Sequence, residues 1–118
     1  MAIVKIDAWA KKVGATLDQT ARAIQIELFT GVIDNTRVDT GRMKGNWQTN
    51  VGATTDSQLD RLDRTGNAAI NEARNNVRSG VVTYFTNNVP YVEYWEQRDG
   101  MVAKNMARIE TILRKQAK

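Results

Sequence analysis

The sequence contains no cysteine and no histidine among its 118 residues. Without cysteine the chain can form no disulfide, no thiol nucleophile, no iron–sulfur cluster and no thiolate zinc site. Without histidine it has no imidazole general base, no Ser-His-Asp triad and no His-ligated metal. Any enzymatic chemistry would therefore have to use carboxylates, lysine, tyrosine, serine or threonine.

Proline and long apolar runs are also scarce. The chain has one proline, Pro90, and no segment rich in Ser, Gly and Pro, so we expect residues 1–118 to form a single domain. No apolar run approaches the roughly 20 residues that a membrane span requires. Lys5 interrupts the stretch in which a signal peptide would need an unbroken apolar segment. We therefore expect a protein that is made in the cytoplasm and has no membrane partner.

The positive charge is concentrated in one part of the sequence. The 17 basic and 13 acidic residues give a formal net charge of +4, and residues 104–118 hold five basic residues and one acidic residue. The excess of four in that segment accounts for the whole net charge. Its basic face, Lys104, Arg108 and Lys115, would suit contact with DNA or with an acidic protein ring. The alternative is an ordinary solvated helix end.

A long helix is predicted near the N-terminus. Apolar residues recur every three or four positions, the spacing of one helical face, and predict a helix over about residues 7–34. Ile26, Phe29 and Ile33 form a second apolar stripe close to the polar face of that helix. Two interpretations remain open at this point: strands of the same chain cover the second stripe, or the stripe is a subunit interface.

The remaining pattern predicts a small α+β domain. Alternation with a period of two predicts a strand at residues 47–51, and β-branched and aromatic enrichment predicts another at 81–87. The polar segment 54–79 is helix-like with a break at Gly66, and its charged DRLDR stretch is expected to be a solvated helix face. A turn is expected after the second strand, from Pro90 through the aromatic residues that follow it, and helical spacing predicts a last helix over about 101–116. We expect a small antiparallel β-sheet packed by the long N-terminal helix and the C-terminal helix.

The segment VDTGRMKGNW, residues 38–47, is the most distinctive motif. Asp39, Thr40 and Gly41 form a turn signal in which either polar side chain can cap a short helical turn. We expect Gly41 to adopt a backbone conformation that other residues resist, and Asp39 to accept hydrogen bonds from the turn.

Aromatic residues cluster in the second predicted strand and in the segment that follows it. Five of the eight lie within twelve residues: Tyr84, Phe85, Tyr91, Tyr94 and Trp95. Two glutamates and no basic residue before Arg98 accompany them, which favours core and interface packing over base stacking. Glu93 and Glu96 form a candidate acid/base pair, and the alternative is a pair of solvated neighbours of buried rings. Arg42 is expected to pair with one of these glutamates and so to tie the turn to the aromatic segment.

The sequence contains no recognisable cofactor motif. Neither a GxGxxG nor a GxxxxGK[ST] phosphate loop occurs, and no metal-ligand spacing stands out. We therefore expect no cofactor, no metal and no small-molecule substrate, and we do not expect an enzyme.

Taken together, the motifs resemble those of one protein family. VDTGRMKGNW resembles the VDTGxLxxSW-type turn of tail-completion, or tail-to-head joining, proteins, which are minor tail components of the neck of tailed phages. The downstream segment NNVPYVEYWEQRDG, residues 87–100, is similar to the N-x-x-x-Y-A-x-x-x-E-x-G stretch of that family. A C-terminal helix follows in both. The resemblance covers about residues 15–115 in order and spacing.

The resemblance implies a structural virion protein without an active site. Such a subunit would form a ring with copies of itself, a homo-hexamer or a twelve-fold ring, between the head connector or stopper and the tail tube. It would reside in the virion, and in the host cytoplasm during assembly. A closed ring needs two different complementary surfaces on each subunit. The candidate interface residues are Ile26, Phe29, Ile33, Arg42, Trp47, Tyr91, Tyr94 and Trp95.

Three other functions are kept as alternatives. A tail terminator is the alternative within the same structural class. A small nucleic-acid-binding protein would use the basic C-terminal helix, and the same helix could make non-specific contact with DNA inside a ring. A carboxylate-based hydrolase would use Glu93 and Glu96.

Overall fold

The computed structural model describes the backbone of residues 2–5, 18–78 and 81–116. Its strands are β1 (Ala2–Lys5), β2 (Trp47–Val51) and β3 (Thr83–Asn87). Its helices are α1 (Asp18–Asp34), α2 (Arg42–Gly45), α3 (Asn67–Asn76), α4 (Val92–Asp99) and α5 (Met101–Gln116). This combination confirms the predicted α+β class.

The three strands form one antiparallel sheet in the order β1-β3-β2. In the central pair, Trp47 lies opposite Asn87 and Val51 lies opposite Thr83. Strand β1 pairs with the other edge of β3, and its first residue, Ala2, lies opposite Asn87. Helix α1 packs against the sheet, α3 and α5. The sheet and two helices therefore enclose α1 from several sides.

Three stacked aromatic rings form the centre of the core. The ring of Phe85 lies between Phe29, at a centroid distance of 4.2 Å, and Trp47, at 4.6 Å. The indole N–H of Trp47 donates to Thr36 Oγ1 at 2.8 Å, and the Thr36 hydroxyl donates to the Val32 carbonyl at 2.7 Å. Because this chain of hydrogen bonds satisfies the polar atom of the tryptophan, the largest core side chain is fully buried without an orphaned donor.

Several predicted elements agree with the structure. Strand β2 occupies 47–51 as predicted, β3 lies within the predicted 81–87, and α5 spans the predicted 101–116. Helix α3 begins immediately after Gly66, where the break was predicted. The long helix predicted over about residues 7–34 is not confirmed at that length: helix α1 covers Asp18–Asp34, and residues 7–17 of the prediction lie outside the described residues.

Two predictions about local structure are wrong. Residues 54–63, which we call the strap, are not helical but run as an irregular extended segment between β2 and α3. The segment Val92–Asp99, expected as a turn, is the helix α4. Among the helices that the structure describes, none combines the length and hydrophobicity that crossing a bilayer would require.

Candidate functional site

The second apolar stripe of α1 faces the inside of the subunit. Phe29 and Ile33 are fully buried, as is Trp47, and Ile26 packs partly buried against the same core. The assignment of Phe29, Ile33 and Trp47 to a subunit interface is therefore wrong. Because α1 is enclosed by the sheet and by other helices, both of its apolar stripes are used within one chain. The strands of the chain itself cover the second stripe.

The two glycines of the VDTGRMKGNW motif allow the strap to lie against α2. Gly41 has a φ of +91°, as expected for its left-handed conformation, and a Cβ there would lie 2.9 Å from the Asp63 amide nitrogen. A Cβ on Gly45 would overlap the carbonyl oxygen of Arg61. The Gly41 carbonyl also accepts a hydrogen bond from the Asp63 amide at 3.0 Å. Both glycines are therefore required by close backbone approach.

The polar side chains of the turn differ in part from their predicted roles. The hydroxyl of Thr40 accepts from the Arg42 amide at 3.2 Å, so Thr40 satisfies the turn donor that Asp39 was expected to satisfy. Asp39 is exposed instead and lines a surface cleft. The guanidinium of Arg42 donates to the side chain of Gln58 in the strap. The turn is thus tied to the strap through its arginine.

Glu96 caps the last helix. Its two carboxylate oxygens accept from the backbone amides of Val102, at 2.9 Å, and Ala103, at 3.2 Å, in the first turn of α5. The predicted pairing of Arg42 with Glu96 is therefore wrong, because this carboxylate accepts instead from backbone amides at the start of α5. These amides have no acceptor within the helix, and a negative charge is favourable near a helix N-terminus. The pairing of Arg42 with Glu93 stays a prediction.

Buried side chains hold the middle of the strap in place. Asn46 is fully buried, and its amide donates to the Leu59 carbonyl at 3.1 Å while its oxygen accepts from the Leu59 amide at 2.6 Å. Arg61 turns inward and donates to the carbonyls of Gly45 at 2.6 Å and Trp47 at 2.9 Å. The strap therefore has a defined conformation although it contains no regular secondary structure.

The DRLDR stretch is not the solvated helix face that was predicted. Arg61 pairs with Glu72 of α3 at 3.1 Å, in addition to its backbone contacts. Asp63 is 8% exposed and accepts from the amides of Gly66 and Ala69, each at 3.1 Å, at the start of α3. Since these charged residues turn inward, alternate residues of the strap face outward, among them Leu62, which is 67% exposed.

An arginine joins α4 to the segment that precedes the turn. The guanidinium of Arg37 lies over the Trp95 ring, 4.0 Å from its centroid, and donates to both carboxylate oxygens of Asp99 at 3.2 Å. Arg98 lies 5.8 Å from the same ring and donates to the hydroxyl of Tyr94 at 3.3 Å. Cation–π contacts and a two-point ion pair thus order this surface.

Three cations surround the carboxylate of Asp99. The hydrogen bond from Arg37 is the main cause that holds the pKa of Asp99 below its ordinary value, and the charges of Arg37, Arg98 and Lys104 act in the same direction. The same hydrogen bond raises the pKa of Arg37. One carboxylate is shared among three cations, so this part of the surface carries excess positive charge.

Surface clefts connect these residues into one continuous region. A cleft of about 270 Å³ is lined by Arg37, Arg42, Tyr91 and Trp95, among others. A second of about 480 Å³ lies on the other side of Arg37, towards α5. We call this double cleft the arginine–aromatic cleft, with lining and rim residues Arg37, Tyr91, Tyr94, Trp95, Arg98 and Lys104. Arg42 also lines a third cleft, of about 320 Å³, on the strap side.

The predicted basic face of the C-terminal helix is divided by the structure. Lys104 is exposed and lines the arginine–aromatic cleft. Arg108 pairs with Glu27 of α1 at 3.0 Å, so its charge is partly compensated within the subunit. The side chain of Lys115 lies outside those that the structure describes. The described part of this face therefore does not form a continuous free cationic stripe.

Sequence reasoning missed two residues that build the cleft. Arg37 and Asp99 are 62 positions apart, and no local pattern connects them. The available signal was that Arg37 directly precedes the turn motif and that Asp99 ends the aromatic segment. Sequence reasoning did identify Tyr91, Tyr94 and Trp95, which the structure places together at this surface.

No family model matches the chain, and neither the curated proteins nor the solved structures contain a match. Within the described residues, no group of three or more acidic side chains is placed to hold a metal ion.

Proposed function

We propose that this protein is a ring-forming structural subunit of the neck of a tailed phage, which joins the head connector to the tail. The proposal begins from the resemblance of two segments, residues 38–47 and 87–100, to tail-completion proteins. One observation carries it further: these two segments, far apart in sequence, line the same exposed cleft through Arg42, Tyr91 and Trp95. Two motifs of one family would then serve one surface.

The composition of that surface supports a role in assembly. Tyrosine, tryptophan and arginine are the side chains enriched where protein interfaces concentrate their binding energy. Tyr94 is 56% exposed and Tyr91 is 39% exposed, so both large aromatic side chains are accessible to a partner. Arg37 and Trp95 are ordered by their own contacts, so less conformational entropy would be lost when a partner binds.

The subunit also has a second, chemically different exposed surface. The outer side of the strap combines the exposed apolar side chain of Leu62 with acidic residues. A closed ring needs two different surfaces on each subunit, one for each neighbour. A homo-hexamer or a twelve-fold ring in the virion neck is the assembly that we propose, with the tail terminator position as the alternative within this class.

The nucleic-acid alternative receives less support from the geometry. DNA binding by the C-terminal helix would need several cations free to neutralise phosphates. Arg108 is paired with Glu27, and Lys104 lies near the Asp99 carboxylate. Non-specific contact with DNA in a ring lumen remains compatible with the proposed function.

Loss of the gene tests the proposed function directly. If the protein joins heads to tails, a phage lacking it should yield DNA-filled heads and separate tails in electron micrographs of lysates. Purified protein added to that lysate should restore joined particles and infectivity. Normal joined particles in its absence would contradict the proposal. Loss of DNA packaging with tails still attached would also contradict it and would favour a nucleic-acid role.

A further inference from the structure

We propose that the outer side of the strap of one copy docks into the arginine–aromatic cleft of a second copy. This inference rests on the proposed function, since it names the surfaces through which the subunits would assemble. Two surfaces of the same molecule carry this inference: the strap, which is acidic and apolar on its outer side, and the cationic, aromatic cleft. Arg42 lies between them, because it lines a cleft on each side.

The strap presents its outward residues in a defined conformation. Leu62 has the most exposed large hydrophobic side chain of those described, and Asp56 and Asp60 are exposed with it. Neither aspartate forms an ion pair with another of the described residues. Because Asn46 and Arg61 anchor the backbone beneath them, these side chains are held in place rather than dispersed by a mobile loop.

The charges of the cleft and strap are complementary. The walls of the double cleft contain four cations, Arg37, Arg42, Arg98 and Lys104, against two carboxylates, Asp39 and Asp99. The cleft therefore has an excess of two positive charges. The outer side of the strap contributes two carboxylates, so docking would compensate this excess. Charge complementarity of this kind selects partners and fixes the register of an interface.

The apolar parts are complementary as well. An exposed leucine on a rigid segment can be buried against the faces of Tyr91 and Tyr94, which are exposed at the cleft. Tyrosine, tryptophan and arginine are the side chains in which interfaces concentrate their binding energy, and here they lie together around the cleft that would receive the leucine. DNA is a poorer occupant of the whole surface, because Asp60 lines the same strap-side cleft as Arg42 and its carboxylate would repel phosphate.

Cysteine cross-linking tests this contact against a clean background, since the chain contains no cysteine. We would prepare the Leu62→Cys and Tyr94→Cys variants separately, both at exposed positions, and confirm folding by circular dichroism. Mixed under mild oxidation, they should form a disulfide-linked heterodimer at least about tenfold faster than a mixture of Leu62→Cys with Asn71→Cys. Asn71 is the matched control because it is exposed on α3 and belongs neither to the strap nor to the residues that line the clefts.

Charge reversal gives an independent second measurement. Asp56→Lys with Asp60→Lys, introduced into the Leu62→Cys variant, should slow this cross-linking to the control rate. Arg98→Glu with Lys104→Glu, introduced into the Tyr94→Cys partner, should restore it, because the reversed charges are again complementary. Slowing without rescue, in folded variants, would overturn the proposed pairing.

The outcomes separate this inference from the proposed function. Cross-linking no faster than the control overturns the docking contact, and if gene loss still separates heads from tails, the neck function stands without it. The inference is overturned in favour of nucleic acid if three results are found together. Duplex DNA retains the protein, the Arg98→Glu, Lys104→Glu variant is not retained, and cross-linking proceeds at the control rate. In a variant that carries both cysteines, disulfide-linked closed dimers and a ladder of larger oligomers would each support the docking contact. Only the ladder would be consistent with a ring.

Discussion

Replacing Asn46 by alanine should release the strap from the body of the protein. The asparagine is fully buried, and its side chain makes both a donor and an acceptor contact with the backbone of Leu59. A third contact runs from its amide to the Arg42 carbonyl at 2.8 Å. Alanine removes all of these and leaves three backbone groups, the amide and carbonyl of Leu59 and the carbonyl of Arg42, without this partner.

The expected cost follows from the number of groups left unpaired. A buried polar group that loses its partner costs about 1–3 kcal/mol, and water can reach part of the strap, so we use the lower end for each of the three backbone groups. The free energy of unfolding should then fall by about 3 kcal/mol. With a urea m-value of about 1.5 kcal/mol/M, the unfolding midpoint should fall by about 2 M. Asn71→Ala, at an exposed position, should leave the midpoint nearly unchanged.

Hydrogen exchange identifies the cause of that loss. The Leu59 amide, which donates to Asn46 in the native state, should lose its protection in the alanine variant. Asn46→Asp retains an acceptor for this amide but replaces the donor to two carbonyls, so it should destabilise the protein while keeping the amide protected. A midpoint shift below about 0.2 M, with Leu59 still protected in the alanine variant, would refute the reasoning that Asn46 anchors the strap.

Three further predictions concern the core, the turn and the acid range. Phe85→Ala removes the middle ring of the stack and should lower the free energy of unfolding by about 3–5 kcal/mol, measured by urea denaturation; a loss below about 1 kcal/mol would show that the stack is not the centre of the core. Gly45→Ala places a Cβ on the Arg61 carbonyl and should cost about 1–3 kcal/mol or more, whereas Gly52→Ala, with open space around it, should lower the melting temperature only through backbone strain. The pKa of Asp99 is lower in the folded state than in the unfolded state. Its ion pair therefore stabilises the protein above the unfolded pKa of about 3.9, and this stabilisation is lost as the pH falls towards the lower folded pKa. The difference in unfolding free energy between wild type and Asp99→Asn should therefore be constant at neutral pH and shrink below about pH 4; a difference independent of pH would contradict the ion pair.

The sequence predicted correctly those elements that show a clear periodicity of apolar and polar residues. Strand β2 and helix α5 are predicted with their observed boundaries because one alternates in polarity and the other repeats apolar residues at helical spacing. Helix α4 was missed because Val92 is its only fully buried residue, so its eight residues show no apolar face. Of its two aromatic residues, Tyr94 is exposed and Trp95 is only partly buried, so the segment shows no hydrophobic periodicity.

Tertiary contacts decided the features that the sequence could not show. The second apolar stripe, with Phe29 and Ile33, was open to two interpretations, and only the position of β3 against α1 decides between them. The strap resembles a helix in composition, but Arg61 and Asp63 are drawn inward by backbone groups that are distant in sequence. Such long-range satisfaction of polar groups overrides local propensity and has no signature in a single sequence.

The most distinctive sequence motif is, in the structure, the place where the strap is received. Gly41 and Gly45 leave room for its backbone, and Asn46 supplies the hydrogen bonds that hold it. The motif residues that make the chain resemble a family are therefore mainly those that build the subunit, whereas Leu62 and the acidic residues of the strap are free to select a neighbour. If this division holds, substitutions at the two glycines should lower the stability of the subunit and weaken assembly together. Substitutions on the outer side of the strap should abolish assembly alone.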